Sequence, residues 1–208
     1  MAITTYTELK ASVANWLNRD DLTDRIPEFI ALAEAQFNRE LRIRGMEGRY
    51  TASTVSGQKN YMLPGGYIQM RNFQINTDPI TALEYVTPEI HDRLWGGSKT
   101  GVPQMYTMVA NELILGPTPD SIMTMEMDFY KAFDALSSTV ATNWVLANAP
   151  DLYLYGALLN AEPFLVNDER LGTWKEFVVT AITAIQSADA RDRHSGSSMR
   201  VMNTTGYY

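Results

Sequence analysis

The chain has 208 residues, 24 acidic against 17 basic and no cysteine, with a formal net charge of −7 and a pI near 4.8. Disulfides, thiolate metal sites and cysteine catalysis are thereby excluded, and so is the dense cationic surface that grips nucleic acid. The length suits one domain or two small ones, able to bury about 70% of the unfolded surface. No apolar run approaches the roughly 18–20 residues that cross a bilayer, and a short, polar N-terminus predicts no secretory signal and a soluble protein.

Thr5 to Arg19 reads as a helix, with Thr5 and Glu8 at capping-box spacing and Leu9, Val13, Trp16 and Leu17 on one face. Asp20 and Asp21 break it. Thr23 is the expected cap of a second helix, with Pro27 near its start, an apolar stripe through Ile26, Phe29, Ile30, Ala33, Phe37 and Leu41, and Gly45 as its stop.

From Met46 to Phe133 the period shortens to two. Arg49 to Val55 and Asn60 to Leu63 suggest a hairpin closed by Ser56-Gly57-Gln58-Lys59. Tyr67 to Ile75 and Ile80 to Val86 are further strands. Thr87 and Pro88 open a short helix ending near Trp95. Gln104 to Val109 and Glu112 to Leu115 form a hairpin through Ala110 and Asn111. In Ser121 to Phe133, Met123, Met125, Met127 and Phe129 face one way and Thr124, Glu126 and Asp128 the other.

Ala135 to Thr142 is a polar linker. A helix follows from Asn148 as cap and Pro150 in the first turn, apolar almost all round through Leu159, with Pro163 kinking or ending it. The last helix starts near Asn167 and carries Leu171, Trp174, Val178, Ala181, Ile185 and Ala188 as a stripe, with Arg191 and Arg193 at its end. The remaining residues are small, polar and aperiodic, a tail expected to be disordered or to order on a partner.

The predicted fold class is α+β: a helical bundle formed by N- and C-terminal helix pairs, an inserted small antiparallel β-sheet region, and an extended C-terminal tail. A single domain spans 1–194, with a helical body over 5–45 and 143–194 and a β-rich insertion over 46–136. The tail is 195–208.

Chemistry is sparse. The two histidines, His91 and His194, have no ligand cluster around them in sequence, and His91 is expected on a solvated face among Glu89, Asp92 and Arg93. Pro64-Gly65-Gly66 and Trp95-Gly96-Gly97-Ser98-Lys99 lack phosphate-loop spacing. Glu126, Asp128 and Glu162 could in principle act as paired carboxylates, but such acids occur in any acidic chain. No catalytic residue, metal or cofactor is expected. Tyr153, Tyr155 and Trp174 are either core residues or inter-subunit packing residues.

Four collinear stretches carry a resemblance. They are Tyr6 to Arg19 with Leu22 to Glu34; Arg39 to Arg42 running into Met46 and Glu47; Gly101 to Gln104 with Leu113 to Pro119; and Ala149 to Leu159 followed by Asp168 to Leu171. The chain resembles the head-to-tail adaptor (connector) proteins of tailed bacteriophages. The resemblance implies a structural virion protein, assembled in the host cytoplasm. On that resemblance its copies are expected to form a ring, commonly a dodecamer, at the head–tail interface. The ring would join the portal protein to a tail or nozzle protein and leave a channel through which DNA passes without specific binding, with no membrane involved. In related adaptors a C-terminal extension reaches the portal. That role transfers here, as an expectation, to Ser198, Met199, Arg200, Val201, Met202, Tyr207 and Tyr208. The alternative is a tail-associated receptor- or glycan-binding module using Tyr50, Tyr61, Tyr67, Tyr85 and Trp95; a small hydrolase ranks lower.

Overall fold

The computed structural model describes residues 2–19, 21–97, 99–165 and 170–193, and these divide into two compact units. One comprises the described residues up to Gly45 and from Phe133 onward; the other is Met46–Ala132.

The helical unit begins with α1 (Tyr6–Leu17). Its capping box forms as the sequence predicts: the Thr5 hydroxyl accepts from the Glu8 N–H at 3.3 Å, and Glu8 Oε2 accepts from the Thr5 N–H at 3.0 Å. Asn18, at φ 50°, ends it in the left-handed conformation. The second helix, α2 (Ile26–Glu40), is capped by Arg25 without a side-chain bond, so Thr23 does not cap it. It stops at Glu40, where Leu41 turns extended and is fully buried. Gly45 has a different role from helix stop: a Cβ there would come within 2.6 Å of the Trp144 ring, which lies against the backbone.

After the linker come α4 (Trp144–Asn148), α5 (Pro150–Leu165) and α6 (Leu171–Arg193). Asn143 caps α4 by accepting from the Leu146 N–H at 3.0 Å, so Asn148 closes a helix instead of opening one. Pro163 sits inside α5, two residues before Leu165. The predicted start of α6 near Asn167 lies outside the described residues. Helices α1, α2 and α6 all pack on α5, which accordingly buries Leu152, Tyr153, Leu154, Ala157, Leu158 and Ala161. Gly156 permits close approach of α2: a Cβ would meet Phe37 Cζ at 2.7 Å and the Ala33 Cβ at 3.1 Å.

In the strand unit the described elements are β1 (Glu47–Ser53), β2 (Asn60–Met62), β3 (Tyr67–Ile75), β4 (Thr81–Ala82), β5 (Glu84–Tyr85), α3 (Pro88–Trp95), β6 (Thr100–Gly101), β7 (Met105–Val109), β8 (Glu112–Gly116), β9 (Thr118–Pro119) and β10 (Thr124–Lys131). They form sheets ordered β1-β10-β3-β4, β2-β8-β7-β5 and β6-β9. Strand β10 buries Met125, Met127 and Phe129 and turns Glu126 and Asp128 away, as the alternation predicts. The β7–β8 hairpin also forms, with Ala110 at φ 53° in its turn. Both four-stranded sheets contribute to one core of Phe73, Ile75, Tyr106, Leu113, Leu115, Met125, Met127 and Phe129.

Two expectations are corrected. The fold remains α+β, but it is not a helical bundle with a small antiparallel insert. The described residues hold six α-helices, one of them within the strand unit, and ten strands, with β5–β7 and β6–β9 parallel. The expected hairpin of β1 with β2 does not form either: β1 pairs with β10, Tyr50 opposite Met127, and β2 pairs with β8. Several strands are too short for a period of two to register, and partners distant in sequence are chosen by which faces can be buried together.

Candidate functional site

Tyr153, Tyr155 and Trp174 fall within the helical unit in different settings. Tyr153 is buried, edge-on to Phe37 with centroids 5.3 Å apart. Its hydroxyl donates to Glu34 Oε1 at 3.0 Å and accepts from Asn143 Nδ2 at 2.6 Å. Glu34 Oε1 also accepts from the Leu136 N–H at 2.8 Å, and Asn38 Oδ1 accepts from the Phe133 N–H at 3.0 Å, so this polar group fastens the returning linker to α2. Burial pushes the Glu34 carboxyl above its ordinary value, against the lowering effect of those two donors, and burial likewise raises the Tyr153 phenol.

Tyr155 and Trp174 stack at 6.1 Å and 18°, and they belong to a larger cluster. Trp16 of α1 meets Tyr155 at 6.2 Å and Trp174 at 5.7 Å, while Phe177 of α6 meets Tyr155 at 5.0 Å. Trp174 is covered, but Trp16 is 48% exposed and Phe177 40% exposed. Trp16 belongs by its spacing to the apolar face of α1, and Phe177 lies outside the apolar stripe of α6, but helical period cannot show how far a neighbouring helix extends over a face. Glu162 closes the base of the cluster: it is 2% exposed and its Oε1 accepts from Trp174 Nε1–H at 2.8 Å.

The remaining sequence candidates do not converge. Glu126 and Asp128 share Arg49, at 3.2 and 2.7 Å, on the outer face of their sheet. His91 is 1% exposed, not on a solvated face: α3 turns His91 inward toward Gly116, where a Cβ would meet its Nε2 at 2.8 Å, and leaves Ile90 and Leu94 exposed. Among the tyrosines of the glycan reading, the Tyr61 hydroxyl holds the loop at Val55 and Gln58, Tyr67 stacks on Phe129, and Tyr85 meets Tyr106 edge-on. Among the described residues no group of three or more His, Cys, Asp or Glu could hold a metal ion, and no helix is long and apolar enough to cross a membrane. The portal-contact candidates Ser198, Met199, Arg200, Val201, Met202, Tyr207 and Tyr208 lie outside the described residues.

No curated protein matches the chain. A family model described as SU10 adaptor protein matches residues 4–202, nearly the whole sequence. The four stretches that suggest a head-to-tail adaptor all fall within that match. The chain therefore belongs to the SU10 adaptor protein family, whose members are structural head–tail adaptors of phage virions.

Proposed function

We propose that copies of this chain form a homo-oligomeric ring, a dodecamer by analogy with such adaptors, that joins the portal protein to the tail and leaves a channel for DNA. The observation that carries this reading is the family match over residues 4–202. The half-exposed aromatic cluster supports it: Trp16, Tyr155 and Phe177 leave ring surface in water, and aromatic residues are enriched where subunits meet. Tyr153 serves that contact from behind, by locking α5 to α2 and the linker, while Tyr155 and Trp174 reach toward it. A net charge of −7 suits a wall along which phosphates pass without sticking. The chain works by fit and not by reaction.

Contact with the portal belongs, on this reading, to the tail residues Ser198 to Met202 with Tyr207 and Tyr208. Electron-microscopy imaging of intact particles tests the whole: density for this chain between portal and tail is expected, and its absence there ends the reading. Deleting residues 196–208 is expected to leave a folded subunit that no longer docks on the portal, and normal docking of that truncation would refute the assignment to the tail.

A further inference from the structure

A cavity of about 340 Å³ opens beside the aromatic cluster, lined by Trp16, Leu158, Glu162, Leu165, Arg170 and Trp174 among others. It is near the lower end of ligand-pocket sizes, roughly 300–1,000 Å³, and so suits one side chain better than an extended ligand. Glu162 is the anomaly in its wall. One carboxyl oxygen is satisfied by Trp174, but Oε2 is buried with no hydrogen-bond partner. A buried acceptor left alone costs about 1–3 kcal/mol, so an orphan of this kind calls for an occupant.

We propose that this cavity receives an aromatic side chain with a hydrogen-bond donor, a phenol or an indole, presented by a partner chain, whose O–H or N–H reaches Glu162 Oε2. Three observations point to that chemistry. First, the unit already answers its buried carboxylates this way: Glu34 takes the Tyr153 hydroxyl at 3.0 Å and Glu162 takes the Trp174 indole at 2.8 Å. Second, the walls are aromatic and aliphatic. Trp16 and Trp174 cross at 66°, an arrangement that packs a third ring edge-on. Third, the described lining carries both a carboxyl and guanidinium groups. Glu162 shares the wall with Arg170 and with Arg19, itself held by Asp21 at 2.8 and 2.6 Å. Neither a cationic nor an anionic guest matches such a mixed wall as well as a neutral donor does. The site lies on the face assigned above to subunit contact and rests on that reading only for the source of the ring.

The test uses the full chain and small probes, followed by ligand-observed NMR and calorimetry. Saturable binding of 4-methylphenol is expected, with toluene about five- to tenfold weaker for want of the hydrogen bond, and methylguanidinium weaker still. Leu165→Trp fills the cavity from its half-buried rim without touching the Glu162–Trp174 bond, and is expected to abolish binding in a folded protein. Equal binding of toluene, preference for methylguanidinium, no saturable binding of 4-methylphenol, or unchanged binding in L165W would each overturn the proposal. Ring assembly is read separately in particles, so probe binding stands or falls independently of it.

Discussion

Helix α5 and strand β10 occupy equivalent positions in their units, each flanked by several neighbours, yet they are secured differently. α5 is held by close backbone approach at Gly156 and by polar bonds within an apolar setting, Tyr153 to Glu34 and Trp174 to Glu162. β10 lies between β1 and β3, and its inner face is purely apolar, Met125, Met127 and Phe129, with its polar residues paired outside. A helix surrounded by helices has no ladder to fix its register, so buried hydrogen bonds supply uniqueness there. A strand between two strands has its register fixed by backbone pairing, and its side chains need only fill space. On this account, packing changes should injure both units, whereas loss of a buried carboxylate should injure only the helical one.

Gly156→Leu should have the largest effect. The new side chain would drive into Phe37 and Ala33, and a loss of more than about 3 kcal/mol is expected in urea unfolding. Gly172→Ala is its control: a Cβ there meets nothing within 4 Å, and a gain of about 0.5–1 kcal/mol is expected. Similar outcomes for the two would remove close approach of α2 and α5 as a determinant.

Met127→Ala should cost about 2–4 kcal/mol by leaving a cavity between the sheets. Glu126→Ala, one residue away on the outer face, should stay within about 1 kcal/mol. A polar-face effect as large as the core effect would contradict the division of labour in β10.

Glu34 sharpens the contrast. Glu34→Ala strands the Tyr153 hydroxyl and the Leu136 N–H, at a cost of about 1–3 kcal/mol, whereas Glu34→Gln keeps an acceptor. Because the folded carboxyl titrates above its ordinary value, its contribution to stability is fully present at low pH and is lost as pH rises through the folded value. Stability measured across that window should fall in the parent chain relative to Glu34→Gln; parallel curves would show that Glu34 does not titrate on unfolding.

The smallest effect concerns the exposed cap of α1. Hydrogen bonds from Thr4, first its hydroxyl and then its N–H, and from Thr5 hold the Glu8 carboxyl down from 4.5 to about 2. The cap's contribution is therefore present above the ordinary value and is lost as pH falls toward about 2. Protection of the Thr5 amide, taken relative to its intrinsic exchange rate at each pH, should fall over that range in the parent chain and stay constant in Glu8→Gln. Constant protection in the parent as well would show that the cap is absent in solution.

The legible parts of the chain were those governed by neighbours in sequence. The Thr5–Glu8 box, the Thr87–Pro88 start of α3, the Ala110–Asn111 turn and the alternation of Met125, Met127 and Phe129 are local, and all were read correctly. Three local readings failed, Thr23 and Asn148 as caps and Gly45 as a helix stop; the larger failures were non-local. Ser56 to Lys59 looks like a hairpin turn, but β1 finds β10. His91 stands among charged residues in sequence, yet it faces inward because α3 lies against β7. Of the aromatic cluster, Tyr155 and Trp174 were singled out, whereas the exposed rings of Trp16 and Phe177 appeared only once α1 and α6 were set beside α5.

By itself the sequence determined helix and strand character, the α+β class and, through collinear stretches, the family, because propensity, capping and side-chain period act over a few residues. The tertiary structure alone decided strand partners, the burial of His91 and Glu162, and which aromatic faces remain in water. Those depend on loop closure between distant segments and on which surfaces are left after the apolar ones have been covered.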